Sequence, residues 1–262
     1  ERACTHRGRP VQCLPTSFPG ARDRVLLNRG NGTFEELPDP AGPTPLTGKG
    51  MGVVAADLEL SGRLSLFVAN DTTPNYLLVN RADSPRASPS PGASPLFEER
   101  GLPAGLALGA DGAAESGMGI AAGDVNGDHR LDLFVTNFYR EPNNLYVQME
   151  DFTFIDRARA LGLHDPALGR LGWGAQFLDA DLDGDLDLLV ANGHLDDYSE
   201  DGIPYRMPTV YYHNEQGRRF VEAAPTEVGP YFAERRLGRA VATIDWNRDG
   251  RQDVLVTHVD AP

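Results

Sequence analysis

The chain has 262 residues, with 24 Lys+Arg against 38 Asp+Glu, a formal net charge of −14 that excludes wrapping nucleic acid by bulk positive charge. Apolar residues make up 40% of it, enough for a sizeable core and too many for an acidic disordered chain. With 29 Gly and 20 Pro, turns are favoured over long helices, and no stretch approaches the roughly 20 apolar residues of a membrane span.

Cys4 and Cys13, the only cysteines, lie in a Pro- and Gly-rich segment with no recognisable strand or helix. A disulfide between them is the expectation, pinning residues 1–23 and implying an oxidising compartment; two unpaired thiols are the alternative. So short a loop is worth about 2.6 kcal/mol, enough to hold a terminus but not a domain. A hairpin follows over 25–28 and 33–35 around Arg29-Gly30-Asn31-Gly32.

Three fuller units come next, each read as four antiparallel strands: 53–56, 64–69, 76–80 and 96–98; 120–122, 131–136, 144–148 and 152–155; 175–178, 186–191, 210–214 and 219–221. Strands rather than helices are expected because the apolar runs are short and rich in β-branched residues. Residues 81–95, rich in Pro and Ser, read as a surface insertion. A lone hairpin over 241–244 and 254–257 ends the series.

The units share an acidic motif between their first two strands. Asp124-Val-Asn126-Gly-Asp128-His-Arg-Leu-Asp132 recurs as Asp179-Ala-Asp181-Leu-Asp183-Gly-Asp185-Leu-Asp187 and as Asp245-Trp-Asn247-Arg-Asp249-Gly-Arg-Gln-Asp253. Oxygen side chains thus stand at offsets 0, 2, 4 and 8; a fourth, degenerate version has Asp57, Glu59, Ser61 and Ser65. Seven and five residues before each first Asp stand Gly50/Gly52, Gly117/Gly119, Gly172/Gly174 and Gly238/Ala240, and thirteen after it stand Asn70, Asn137, Asn192 and His258.

Four-stranded antiparallel units in series predict an all-β fold of β-propeller blades. The chain is read as a single propeller domain or propeller segment over 1–262. Two half-units at the ends favour a closed four-bladed ring, with part of a larger propeller left open. Alternating carboxylates and amides at hairpin turns suit Ca2+, which takes six to eight oxygen ligands, whereas Zn2+ would ask for Cys or His at those offsets. About three Ca2+ sites are expected, with Asp124, Asn126, Asp128 and Asp132, then Asp179, Asp181, Asp183 and Asp187, then Asp245, Asn247, Asp249 and Asp253 as ligands; the loop at Asp57 is the doubtful fourth.

The residues at offset 13 place a loop face at one end of the ring, where recognition is expected. His194 and His258 lie on it, so a propeller enzyme of lyase or dehydratase type acting near them is an alternative. No nucleophile elbow, phosphate loop or dinucleotide fingerprint is present in the sequence.

The stretches Val53-Val-Ala-Ala-Asp57, Val68-Ala-Asn70-Asp71, Gly117-Met-Gly-Ile-Ala-Ala-Gly-Asp124, Leu133-Phe-Val-Thr-Asn137 and Leu188-Leu-Val-Ala-Asn192-Gly-His194 resemble the FG-GAP/VCBS repeats of the ASPIC/UnbV, cartilage acidic protein-like family. Nearly the whole chain takes part. The resemblance, which extends to integrin alpha headpiece repeats, implies calcium-loop propellers that are commonly seven-bladed. It implies an exported chain, secreted, periplasmic or at a cell surface, that serves as a scaffold for protein or glycan contacts. The partners expected are a protein, a glycan or the remaining blades of a larger propeller; neither nucleic acid nor a membrane-spanning segment is expected. A structural piece of a larger assembly is the third reading.

Overall fold

The computed structural model describes residues 3–42, 45–82 and 96–259. Three complete blades form in chain order, each a four-stranded antiparallel sheet. The N-terminal strands are β1 (Cys4–His6), β2 (Arg9–Val11), β3 (Val25–Asn28) and β4 (Phe34–Leu37). The first blade is β5 (Gly50–Ala56), β6 (Ser65–Asn70), β7 (Tyr76–Asn80) and β8 (Phe97–Glu99). The second is β9 (Ile120–Gly123), β10 (Asp132–Val135), β11 (Asn144–Gln148) and β12 (Phe154–Asp156). The third is β13 (Gly172–Leu178), β14 (Asp187–Asn192), β15 (Val210–Asn214) and β16 (Phe220–Glu222), followed by β17 (Gly238–Ile244) and β18 (Asp253–His258). Among the described residues helix is confined to single turns such as His164–Ala167 and Pro225–Val228, and no helix is long and apolar enough to cross a membrane.

The blades stack face to face. Phe67, Leu77 and Val79 of the first meet Leu133, Val135 and Tyr146 of the second in one core cluster. A second cluster joins Phe134 and Leu145 to Phe177, Leu188, Val190 and Phe220 of the third. Burying sheet faces between neighbouring blades supplies the hydrophobic stabilisation that no single repeat could gather alone.

Close approach of the innermost strands explains the repeated glycines. A Cβ built at Gly119 would lie 1.9 Å from Trp173 O, and one at Gly52 would lie 2.3 Å from Met118 O, so each glycine admits the backbone of the next blade. At the matching position of β17 stands Ala240, which is exposed: no further blade covers it among the described residues, and a Cβ fits. In β5, β13 and β17 the strand also runs back to the earlier glycine through a bulge, as at Gly172/Ala175. These strands are therefore longer than their apolar runs suggested, because a bulge interrupts the alternation on which that expectation rested.

The closed four-bladed ring does not form. Among the described residues β17 pairs only with β18, and β3 only with β4, as separate two-stranded sheets. The N-terminal hairpin is held instead beside the first blade, where Phe97 N donates to Pro40 O at 3.0 Å and Asp23 N to Leu46 O at 2.9 Å. The blades form an open arc with apolar residues uncovered at both ends: Met51 and Val53 on β5, and Ile244 and Leu255 on β17 and β18.

The expected disulfide is present between Cys4 and Cys13. It closes the β1–β2 hairpin, which reaches across to the third blade. There His6 and Arg7 meet Asp201, Arg9 Nη2 lies 3.1 Å from Glu200, and Gln12 N donates to Asp196 at 2.9 Å. Within the expected insertion at 81–95, residues 83–95 lie outside the described residues.

Candidate metal centre

All four acidic loops share one backbone curl. The offset-0 aspartate accepts the N–H of offset 4 on Oδ1 and of offset 5 on Oδ2: Asp57 from Ser61 and Gly62, Asp124 from Asp128 and His129, Asp179 from Asp183 and Gly184, Asp245 from Asp249 and Gly250. Offsets 3 and 5 both take positive φ, as at Leu182 (64°) and Gly184 (95°). Three of the four loops have glycine at offset 5, where the left-handed region favours it, and His129 occupies it at 66° in the other.

Offset 8 plays a part the sequence did not reveal. Asp132 is fully buried; its Oδ1 accepts from Gln148 N at 2.9 Å and its Oδ2 from Val125 N at 3.1 Å. Asp187 accepts from Asn214 N at 2.8 Å and from the Tyr211 hydroxyl. This carboxylate pins the loop to the third strand of its own blade. Burial pushes Asp132 up to about 6 against the lowering effect of its two backbone donors, and burial also raises Asp187.

The loops differ in how their charge is met. In the second blade Arg130 donates to Asp128 at 2.6 Å, and in the β17–β18 hairpin Arg251 Nε donates to Asp249 at 3.1 Å, so an internal guanidinium answers the offset-4 carboxylate. At offset 6, where these arginines stand, the third blade has Asp185. Carboxylate oxygens of Asp179, Asp181 and Asp183 lie within 4.8 Å of one another. The oxygen donors at offsets 0, 2, 4 and 8 suit a hard dication, and the five aspartates of this loop leave the largest unanswered charge. In the first blade Glu59 is taken by Arg81 in a two-pronged pair at 2.8 and 3.0 Å, so the degenerate loop loses one of its donors.

One further ligand type joins the third loop. His213 on β15 places Nδ1 3.8 Å from Asp181 Oδ2 and 4.0 Å from Asp187 Oδ1. The sequence signal for it was a register difference, since the equivalent positions of β7 and β11 hold Val79 and Val147.

Asn70, Asn137 and Asn192 close the loops at the opposite end of the blades. Their Nδ2 groups donate to Pro74 O, Pro142 O and Pro208 O at 2.7, 2.6 and 3.0 Å. His194 is buried against Phe138, Tyr139 and Tyr198, and burial lowers its pKa. His258 lies 2.9 Å from the Tyr231 hydroxyl. Among the described residues neither histidine belongs to a group of three metal-ligating side chains.

Residues 124–190 match the family model of the FG-GAP-like repeat. Cartilage acidic protein 1 of Homo sapiens is 25% identical over 239 residues, which take in 88% of this chain and 31% of that protein. The Mus musculus protein of the same name is 29% identical over 222 residues, 80% of this chain and 29% of its own length. The chain therefore spans about a third of the length of these relatives. Among solved structures, an Agrocybe aegerita lectin that recognises non-reducing terminal N-acetylglucosamine aligns over 90% of this chain and 69% of its own, at 15% identity and a TM-score of 0.40. Residues 124–190 thus match the FG-GAP-like repeat, and over most of its length the chain is similar to cartilage acidic protein 1.

Proposed function

We propose that the chain is a Ca2+-stabilised, exported propeller segment that serves as a binding scaffold for protein or glycan. The observation that carries this reading is the common curl of the acidic loops, in which the offset-0 aspartate folds back on the offset-4 N–H and, in the third blade, the carboxylates of Asp179, Asp181 and Asp183 come within 4.8 Å of one another. Asp124, Asn126, Asp128 and Asp132 would hold one ion, Asp179, Asp181, Asp183 and Asp187 a second, and Asp245, Asn247, Asp249 and Asp253 a third. The ion supplies positive charge where the carboxylates would otherwise repel, and its binding free energy adds to the stability of the folded chain.

Export to a periplasm, cell surface or extracellular space agrees with the Cys4–Cys13 disulfide, because such bonds persist in oxidising compartments. The open arc supports a companion proposal, that the uncovered faces of β5 and of β17–β18 receive the remaining blades of a larger propeller.

The test is calorimetric titration of chelator-treated protein with Ca2+, paired with thermal unfolding before and after its addition. About three sites and a raised melting temperature are expected. Failure to take up Ca2+, with the melting temperature unmoved, would overturn the reading.

A further inference from the structure

We propose that the third-blade loop also offers a site for an imidazole-seeking transition-metal dication of the Zn2+ class, held by His213, Asp181 and Asp187. The inference rests on the reading that this loop binds a cation, and it adds a second ion chemistry to it.

Ligand type is the first argument. Calcium takes oxygen donors, whereas an imidazole nitrogen beside two carboxylates is a set that zinc and its neighbours accept. His213 stands where the first and second blades carry Val79 and Val147, so the repeat itself does not call for a nitrogen.

Geometry is the second. The ligand atoms of Asp181, Asp187 and His213 all lie within 4.8 Å of one another. The 3.8 and 4.0 Å separations from Nδ1 are too long for hydrogen bonds. They exceed by about half an ångström the ~3.4 Å between two tetrahedral ligands of one Zn2+, so a small inward closure of the side chains would bring them onto a shared ion.

Support around the ligands is the third. The Tyr211 hydroxyl donates to Asp187, and its ring meets the His213 ring edge-on at 4.9 Å, so one side chain orients both ligands. A cavity of about 490 Å³, lined by Asp181, Asp183, His213 and Glu215 among others, opens beside them and leaves room for water on the ion. Because Asp181 and Asp187 serve both sets, Zn2+ and Ca2+ at this loop should compete, each weakening the other by the same factor.

Zn2+ and Co2+ titrations of the chelator-treated chain test this, compared with His213→Val, the residue of the sister blades, and His213→Gln. The wild type should take one dication at least ~10-fold more tightly than either variant, with a Co2+ visible absorption band that the variants lose. The imidazole proton NMR signals of His213 in the wild-type chain should shift on Zn2+ addition, a readout that needs no variant to fold. Equal Zn2+ affinity in wild type and variants, or an unshifted His213 signal, overturns the proposal while Ca2+ uptake leaves the calcium reading standing. Zn2+ bound through His213 without Ca2+ uptake overturns the calcium reading alone, and uptake of neither ion overturns both.

Discussion

Glu115 shows how a single side chain couples the fold to pH. It lies between the first and second blades, where Asn144 Nδ2 donates to its Oε2 at 2.6 Å. Burial, reinforced by Asp156, Glu141 and Asp111, outweighs that hydrogen bond and lifts its pKa from 4.5 to about 7. A carboxyl that holds its proton more firmly when folded contributes stability that is fully present below about pH 4.5 and lost as the pH rises through about 7. Wild-type protein should therefore gain thermal stability as the pH falls from 8 towards 5 by more than Glu115→Gln does. Melting curves across that range check it; parallel curves would show that Glu115 titrates as an ordinary carboxyl.

At the level of strands and loops, the last residue of the third strand in the second and third blades fastens its blade to the one before. Gln148 Nε2 donates to Leu58 O at 2.8 Å, and Asn214 Nδ2 donates to Val125 O at 2.8 Å. Asn214 also bonds Leu186 O at 3.1 Å and accepts from Gly217 N at 2.9 Å, whereas Asn80 Nδ2 reaches only Leu64 O of its own blade. Replacing Asn214 by Ala leaves buried backbone groups unpaired and should cost about 1–3 kcal/mol in urea unfolding, with Asn80→Ala costing less.

The blades themselves were legible in the sequence, because four-to-six-residue apolar runs, glycines and aspartates recur at fixed offsets and each signal is local. The bonding of Asp132 and Asp187 to Gln148 and Asn214 was not, since it joins residues 16 and 27 positions apart. His213 escaped for the same reason: a motif confined to one turn does not register a strand that folds back over it. The guanidinium at offset 6 was readable, since Arg130 and Arg251 lie inside the motif where the third loop has Asp185. Ring closure was not decided by the count of half-units. Pairing of β3 with β18 depends on where the N-terminal hairpin docks, and its contacts with the first blade hold it there.

For the whole molecule, the disulfide hairpin ties the start of the chain to the third blade. Arg7 and Arg9 set positive charge on the acidic stretch around Glu200 and Asp201, and His6 meets Asp201 as well. These pairs are surface-exposed and individually worth little, so the covalent closure of the hairpin is what keeps its side chains arrayed. Cys4→Ser/Cys13→Ser should lower stability by no more than about 2.6 kcal/mol. Hydrogen exchange should quicken across residues 196–201 while the blade strands keep their protection. Quickened exchange throughout the blades would show that the hairpin supports the arc itself.

The interblade fastening has one further effect. The acidic turns of the first and second blades each have a carbonyl gripped by an amide from their successor, but the turn beginning at Asp179 is followed only by the two strands β17 and β18. Among the described residues, the most highly charged turn thus has no such grip from its neighbour. On the proposed calcium reading, the arrival of an ion should register there most sharply, as a quenching of motion.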